Sequence, residues 1–283
     1  MAPPAFITQR PNEDKNNSEK GAKNEWLANE LIFEVLQMRF TSPLFAPEVH
    51  PSAGDLIFFF REKNGDRKTN ADKNENTQER DAICAVSSNS FADAFHVGII
   101  VERRTQNQWA EEDKTERIVH AARDEVRVDS LSAVVAELRP TRVELCRMAL
   151  DDPWWGRRAA KWAEDQCGAA YNDIYSEKCV NSRGQRAFYC CQLAVEAFKA
   201  TNPTEKDVSP FLPHALNFAG NDGQILPFWM EHYKKLCPHN PMPPQDRPGS
   251  HPSKLRASPC VLMIGSRKIE KKRGKEVNST LNT

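Results

Sequence analysis

Gly54-Asp55-Leu56-Ile57-Phe58-Phe59-Phe60 is a turn dipeptide followed by five apolar residues without interruption. A run of that length behind turn residues reads as a buried strand. Three further stretches supply candidate neighbours: Val97-Gly98-Ile99-Ile100-Val101, Arg117-Ile118-Val119-His120-Ala121 and Arg142-Val143-Glu144-Leu145. Beyond them the period changes. Trp155, Ala159, Trp162, Ala163 and Gln166 share one face of a helix over 155–167, with Gly168 as its stop. Leu193, Ala194, Ala197 and Phe198 mark the inward face of a second helix over 188–200. Strands first and helices after give an α+β class, an antiparallel sheet packed against helices.

The remaining sequence is polar and sits around this pattern. Residues 10–23 hold nothing that packs and read as part of a disordered arm spanning 1–23. Trp26, Leu27, Leu31, Ile32, Val35 and Leu36 predict an amphipathic helix over 24–40. Residues 61–80 carry six basic and five acidic side chains with Ala71 as the only apolar one, which predicts an inserted surface loop. From Ser266 six of ten residues are basic, so 266–283 reads as a basic tail able to touch anionic surfaces weakly. The expected organisation is therefore one domain over 24–265 between an arm and a tail.

Composition excludes several classes. Across 283 residues, 39 Lys and Arg balance 39 Asp and Glu, so the chain lacks the basic footprint of a sequence-specific nucleic-acid binder. No stretch approaches 18 consecutive apolar residues, and no transmembrane helix is expected. The first residues lack the basic opening and apolar core of a secretory signal, which points to a cytoplasmic protein. There are eight cysteines and no CxxC pair, an argument against a zinc ribbon and for reduced thiols.

One cysteine stands apart. Cys190, in Phe188-Tyr189-Cys190-Cys191-Gln192-Leu193, opens the second helix. A helix N-terminus presents unpaired N–H groups and partial positive charge; both stabilise a thiolate and the oxyanion that its attack on a carbonyl creates. Cys191 is rotated about 100° around the helix from it. A nucleophilic thiol needs a base. His96 stands at the mouth of the second strand, and alternation places His120 on the face of the third strand opposite Val119 and Ala121. If these strands pair, the two imidazoles approach on one face, one to take the thiol proton and one to orient it. Cys190, His96 and His120 could instead ligate a metal, and that alternative stays open at this point.

Gly54-Asp55-Leu56-Ile57-Phe58, His96-Val97-Gly98-Ile99-Ile100, Ile118-Val119-His120-Ala121 and Tyr189-Cys190-Cys191-Gln192-Leu193 together resemble the motif series of the YiiX-like proteins. These are circularly permuted members of the NlpC-type papain-fold superfamily, thiol amidases and peptidases in which His precedes Cys. The resemblance runs on through Gly168-Ala169-Ala170-Tyr171-Asn172 and Ile225-Leu226-Pro227-Phe228-Trp229, covering about residues 45–265. It implies a permuted papain-like fold, with Cys190 as nucleophile and His96 as base. His120 falls where the family places a polar orienting residue, often Glu, with Glu125 or Asp124 as substitutes. Tyr189 would assist the oxyanion through its hydroxyl or its N–H. Gln192 replaces a usual acidic residue and reads as structural support, Cys191 replaces a small Ser, and Asp55 reads as a turn former.

The activity so implied is cleavage of a peptide, peptidoglycan-type or lipid-linked amide through a Cys190 acyl-enzyme, with neither metal nor organic cofactor. Acyl transfer or thioester cleavage by the same pair, and a silent binding module of the same fold, are the competing expectations.

Overall fold

The computed structural model describes residues 44–61, 94–102 and 116–269, apart from Pro47 and Asn221. The arm over 1–23, the expected helix over 24–40 and nearly all of the 61–80 insertion lie outside the described residues, as does the tail beyond residue 269.

The run that follows Gly54-Asp55 is β1 (Leu56–Phe60), and it is buried along its whole length. It lies inside a six-stranded antiparallel sheet whose other members are β2 (Ala94–Ile100), β3 (Arg117–Ala121), β4 (Val126–Ser130), β5 (Arg142–Met148) and β10 (Val261–Lys268). The spatial order is β10-β5-β1-β2-β3-β4. β1 needs apolar side chains at every position because it faces two cores. Leu56, Phe58 and Phe60 point into one cluster, Ile57 and Phe59 into the other. Each fully buried Leu, Ile or Phe contributes on the order of 2 kcal/mol, so this strand contributes strongly to stability.

The two faces are covered differently. On the Ile57 and Phe59 side lies α1 (Leu131–Leu138), which buries Leu131 and Val134. Ser130 caps it, its hydroxyl accepting from the Ala133 N–H at 3.2 Å. On the Leu56 and Phe58 side lie α2 (Trp155–Glu164) and α3 (Cys190–Ala200). The indole N–H of Trp155 donates to the Phe198 carbonyl at 2.9 Å and ties the two helices together. Three two-residue strands follow in chain order: β6 (Ala170–Tyr171), β7 (Ala187–Phe188) and β8 (His214–Ala215). The order then continues through α4 (Pro227–Leu236), the two-residue β9 (Pro248–Gly249) and α5 (Pro252–Arg256) before β10 closes the sheet.

Gly54 has a steric reason to be glycine. Its φ is +96°, and a Cβ there would lie 2.3 Å from the backbone of Gly156 at the start of α2. The turn into β1 therefore packs directly on the helix behind it.

The order of elements corrects the simple strands-then-helices reading. β4 and α1 sit between the third and fifth strands, and β10 returns to the sheet after all the helices. Ser266, Arg267 and Lys268, expected in the tail, pair with Glu144, Val143 and Arg142 of β5. Their backbone groups complete a sheet edge while their side chains remain exposed, which is why composition alone hid the strand. Among the described residues no helix is long and apolar enough to cross a membrane.

Candidate active site

β2, β3 and β4 form one edge of the sheet, and their registers place four polar side chains on a single face. β2 and β3 pair through Ile99↔Val119 and Ile100↔Ile118, which sets His120 across from Gly98 with His96 two residues further on. The glycine matters here, because a Cβ at Gly98 would lie 3.3 Å from the Cβ of His120. With that space open, His120 leans diagonally toward His96. His96 Nε2 and His120 Nδ1 share a hydrogen bond of 2.9 Å, the rings meeting nearly edge-on at 88°.

β3 and β4 pair through His120↔Arg127 and Ile118↔Asp129, so Asp129 is the diagonal neighbour of His120. His120 Nε2 and Asp129 Oδ2 lie 3.0 Å apart, and Arg127 Nε donates to the same oxygen at 2.6 Å. The Arg127 Nη2 donates to Glu137 on α1 at 3.0 Å. His120 is 2% exposed. Burial and the neighbouring His96 charge pull it down to about 4, against the opposing pull of Asp129. It is a neutral imidazole at pH 7.

Cys190 arrives from the other side. Tyr189, the residue before α3, is extended (φ −90°, ψ 166°), and no side chain caps the helix. The first-turn N–H groups therefore keep their donor capacity. Hydrogen bonding along β2 alternates: the Ile100 N–H donates toward β1 at 2.8 Å and the Val101 N–H toward β3 at 3.1 Å. The Val97 N–H thus faces β3, two residues before the ladder with β3 begins. It is turned to the Cys190 thiol instead and helps to lower it. A hydrogen bond with Cys191, then the bond and charge of His96 and finally this N–H hold Cys190 well below the ordinary thiol range, outweighing complete burial. Cys191 moves the other way, pushed up by burial and by its bond to Cys190. Of this adjacent pair, the thiol that is held low is the one beside His96.

Tyr189 is buried, its hydroxyl accepting from the Ser250 N–H at 3.1 Å and its ring packed 5.1 Å from that of Tyr175. The hydroxyl thus ties the chain before α5 to the start of α3. The side chain of Gln192 joins α3 to the loop after β6: it accepts from Asn172 Nδ2 at 2.8 Å and donates to the Ser176 carbonyl at 2.8 Å. Asp55 is remote. Its carbonyl accepts from Ile100, four residues along β2 from His96, or about 13 Å. Its carboxylate accepts two bonds from Arg147, each 2.8 Å. Asp124 and Glu125 are exposed in the turn between β3 and β4, and Asp129 is the acid that reaches His120. Asp129 was within reach of sequence: Val126-Arg-Val-Asp-Ser130 alternates as a strand, and a hairpin folded after Ala121 puts residue 129 diagonal to 120.

Next to Cys190 lies a cavity walled by Phe95, Tyr175, Leu216, Phe218 and Trp229.

No family model matches the chain, and no curated protein matches it. Among solved structures, its fold is similar to that of YiiX from Escherichia coli O157:H7, with a TM-score of 0.53 and 15% sequence identity. The alignment covers 79% of this chain and 100% of that one. The chain has a YiiX-like fold. The four motifs that carried this resemblance all lie on the described scaffold, at β1, β2, β3 and the start of α3. YiiX is described as a metalloprotein. The donor set here does not fit a metal: His96 and His120 are hydrogen-bonded to each other, and His120 also to Asp129. Among the described residues no group of three or more His, Cys, Asp or Glu is placed to hold an ion.

Proposed function

We propose that the chain is a cysteine hydrolase of permuted papain-like type that cleaves an amide bond, with Cys190 as nucleophile, His96 as base and His120 as orienting residue. The observation that carries this reading is the hydrogen-bonded series from His96 through His120 to Asp129, with His96 beside Cys190 and lowering its thiol. Such a series does for a thiol what a nucleophile, base and orienting group do in any acyl transfer. In the first half-reaction the thiolate attacks the carbonyl carbon, and the uncapped N–H groups of α3 donate to the oxyanion. His96, protonated by the thiol, returns that proton to the leaving amine as the C–N bond breaks. In the second half-reaction His96 takes a proton from water, the hydroxide attacks the thioester and the acid is released.

The test is selective alkylation. Iodoacetamide at pH 7 followed by peptide mapping should label Cys190 first, and His96→Ala should abolish that preference. Mass spectrometry of the protein incubated with acyl p-nitroanilides should then show an acyl group on Cys190. Equal, slow labelling of all the thiols would sink the nucleophile and leave a silent binding module.

One observation favours a second reading. The aromatic walls of the cavity beside Cys190 would keep water from an acyl-enzyme, which favours transfer to an amine or alcohol over hydrolysis. Product analysis with and without added amine acceptors separates the two outcomes.

A further inference from the structure

We infer that Asp129, gripped by Arg127, is a positioning residue that sets the tautomer of His120 and through it aims the basic nitrogen of His96 at Cys190. This rests on the proposed nucleophile and base, and adds what gives their hydrogen-bonded series its direction.

Arg127 Nε carries a hydrogen at every accessible pH and cannot accept. It lies 2.6 Å from Asp129 Oδ2, so that oxygen accepts from it. His120 Nε2 is 3.0 Å from the same Oδ2. Burial alone would raise the Asp129 carboxyl, but the bonds from Arg127 and His120 outweigh it and keep the group ionised. An ionised carboxylate oxygen has no hydrogen to offer, so Nε2 of His120 must carry the shared proton. The neutral ring then has a bare Nδ1. That atom faces His96 Nε2 at 2.9 Å, so His96 Nε2 is the donor. The nitrogen left for Cys190 is His96 Nδ1, with its lone pair free to take the thiol proton. Were Asp129 to present a donor, every bond would reverse, and His96 would meet the thiol with an N–H that cannot accept. Arg127 is itself clamped between Asp129 and Glu137, which makes this end of the series the fixed one.

The wild-type chain tests this without any variant. Long-range ¹H–¹⁵N correlation spectra of the histidine-labelled full chain at pH 7 should show His120 with Nε2 protonated and Nδ1 bare. A protonated Nδ1 on His120 would overturn the inference. Two variants add a rate. Asp129→Leu should lower the iodoacetamide alkylation rate of Cys190 on the order of tenfold. Combining Asp129→Asn with Arg127→Leu frees the amide to turn its NH₂ toward His120, and should lower the rate at least as far while inverting the His120 tautomer. Unchanged rates in both, with His96→Ala still abolishing selective labelling, would remove Asp129 from the site and leave the nucleophile in place. If His96→Ala also leaves labelling unchanged, the nucleophile reading itself fails.

Discussion

The sheet contains two Asp–Arg pairs built from the same chemistry and used differently. At the inner turn, Asp55 is 3% exposed and both its oxygens accept from Arg147, one of them also from the Ser52 N–H. Its acceptor capacity closes β1 onto β5, next to the Leu56↔Cys146 pair. At the outer edge, Arg127 takes one oxygen of Asp129, and that same oxygen also faces His120. The first pair is closed and structural. The second is left partly open, and a histidine occupies the opening. The two pairs thus differ in whether the arginine takes both carboxylate oxygens or leaves one atom shared with a neighbour.

Breaking the inner pair should give the largest effect on folding. Arg147→Ala leaves a buried carboxylate without its cation, which costs about 3–5 kcal/mol. Urea unfolding should show that loss, while the Cys190 alkylation rate of the remaining folded protein should match wild type. A parallel fall in Cys190 reactivity would mean that the two pairs are coupled, and the contrast between them would fail.

The largest effect on chemistry should come from the other region. His96→Ala leaves the Cys191 bond but removes the His96 contribution that helps to hold Cys190 low, and Cys190 alkylation at pH 7 should fall on the order of 100-fold, with unfolding midpoints nearly unchanged. Cys146 is the internal control. It is buried beside the inner pair, which pushes it up to about 12, and it should react slowly in every variant.

How far sequence carried this picture follows from the same division. The inner half of the sheet was legible because Leu56–Phe60 has no polar residue to confuse its period, and Arg142–Leu145 alternates beside it. The placement of Cys190 at a helix start and the approach of His96 and His120 on one face were legible because a helix start and two strands have fixed geometries. The hydrogen-bonding edge behind them was missed for a physical reason. Val126–Ser130 is half-buried and carries Arg127 and Asp129, so it looks like surface until its register with β3 is known. Nor could composition show that Gln192 and the Tyr189 hydroxyl are held by the Ser176 and Ser250 backbone, since both contacts join segments far apart in the chain.

Acid should separate the two regions by sign. His120 is held near 4 in the folded chain against 6.5 when unfolded, so the unfolded state binds more protons between those values. Stability is therefore full above pH 6.5 and is lost as pH falls toward 4, by about 3 kcal/mol. Asp129, held below its ordinary range, adds a loss of the same sign at still lower pH. Asp55 is raised by burial in spite of Arg147, so its contribution runs the other way. Urea unfolding at pH 7 and pH 4 should show a larger drop for wild type than for His120→Gln. Equal drops would mean that folding does not lower His120, and that its surroundings do not hold the ring neutral.

The smallest effect expected is the most discriminating. Asp129→Ala removes a carboxylate whose side chain is 27% exposed and whose arginine, 34% exposed, keeps Glu137 as a partner. Solvent screens such a pair, and its loss should change stability by less than about 1 kcal/mol. Against several kcal/mol for the inner pair, that difference would come from the same two residue types in one sheet. If Asp129→Ala unfolds the protein as readily as Arg147→Ala, then the outer pair is a staple like the inner one, and any loss of Cys190 reactivity would reflect a loosened β4. If stability holds while alkylation falls, Asp129 acts through His120 on the thiol, since its carboxylate bonds to His120 and His120 to His96.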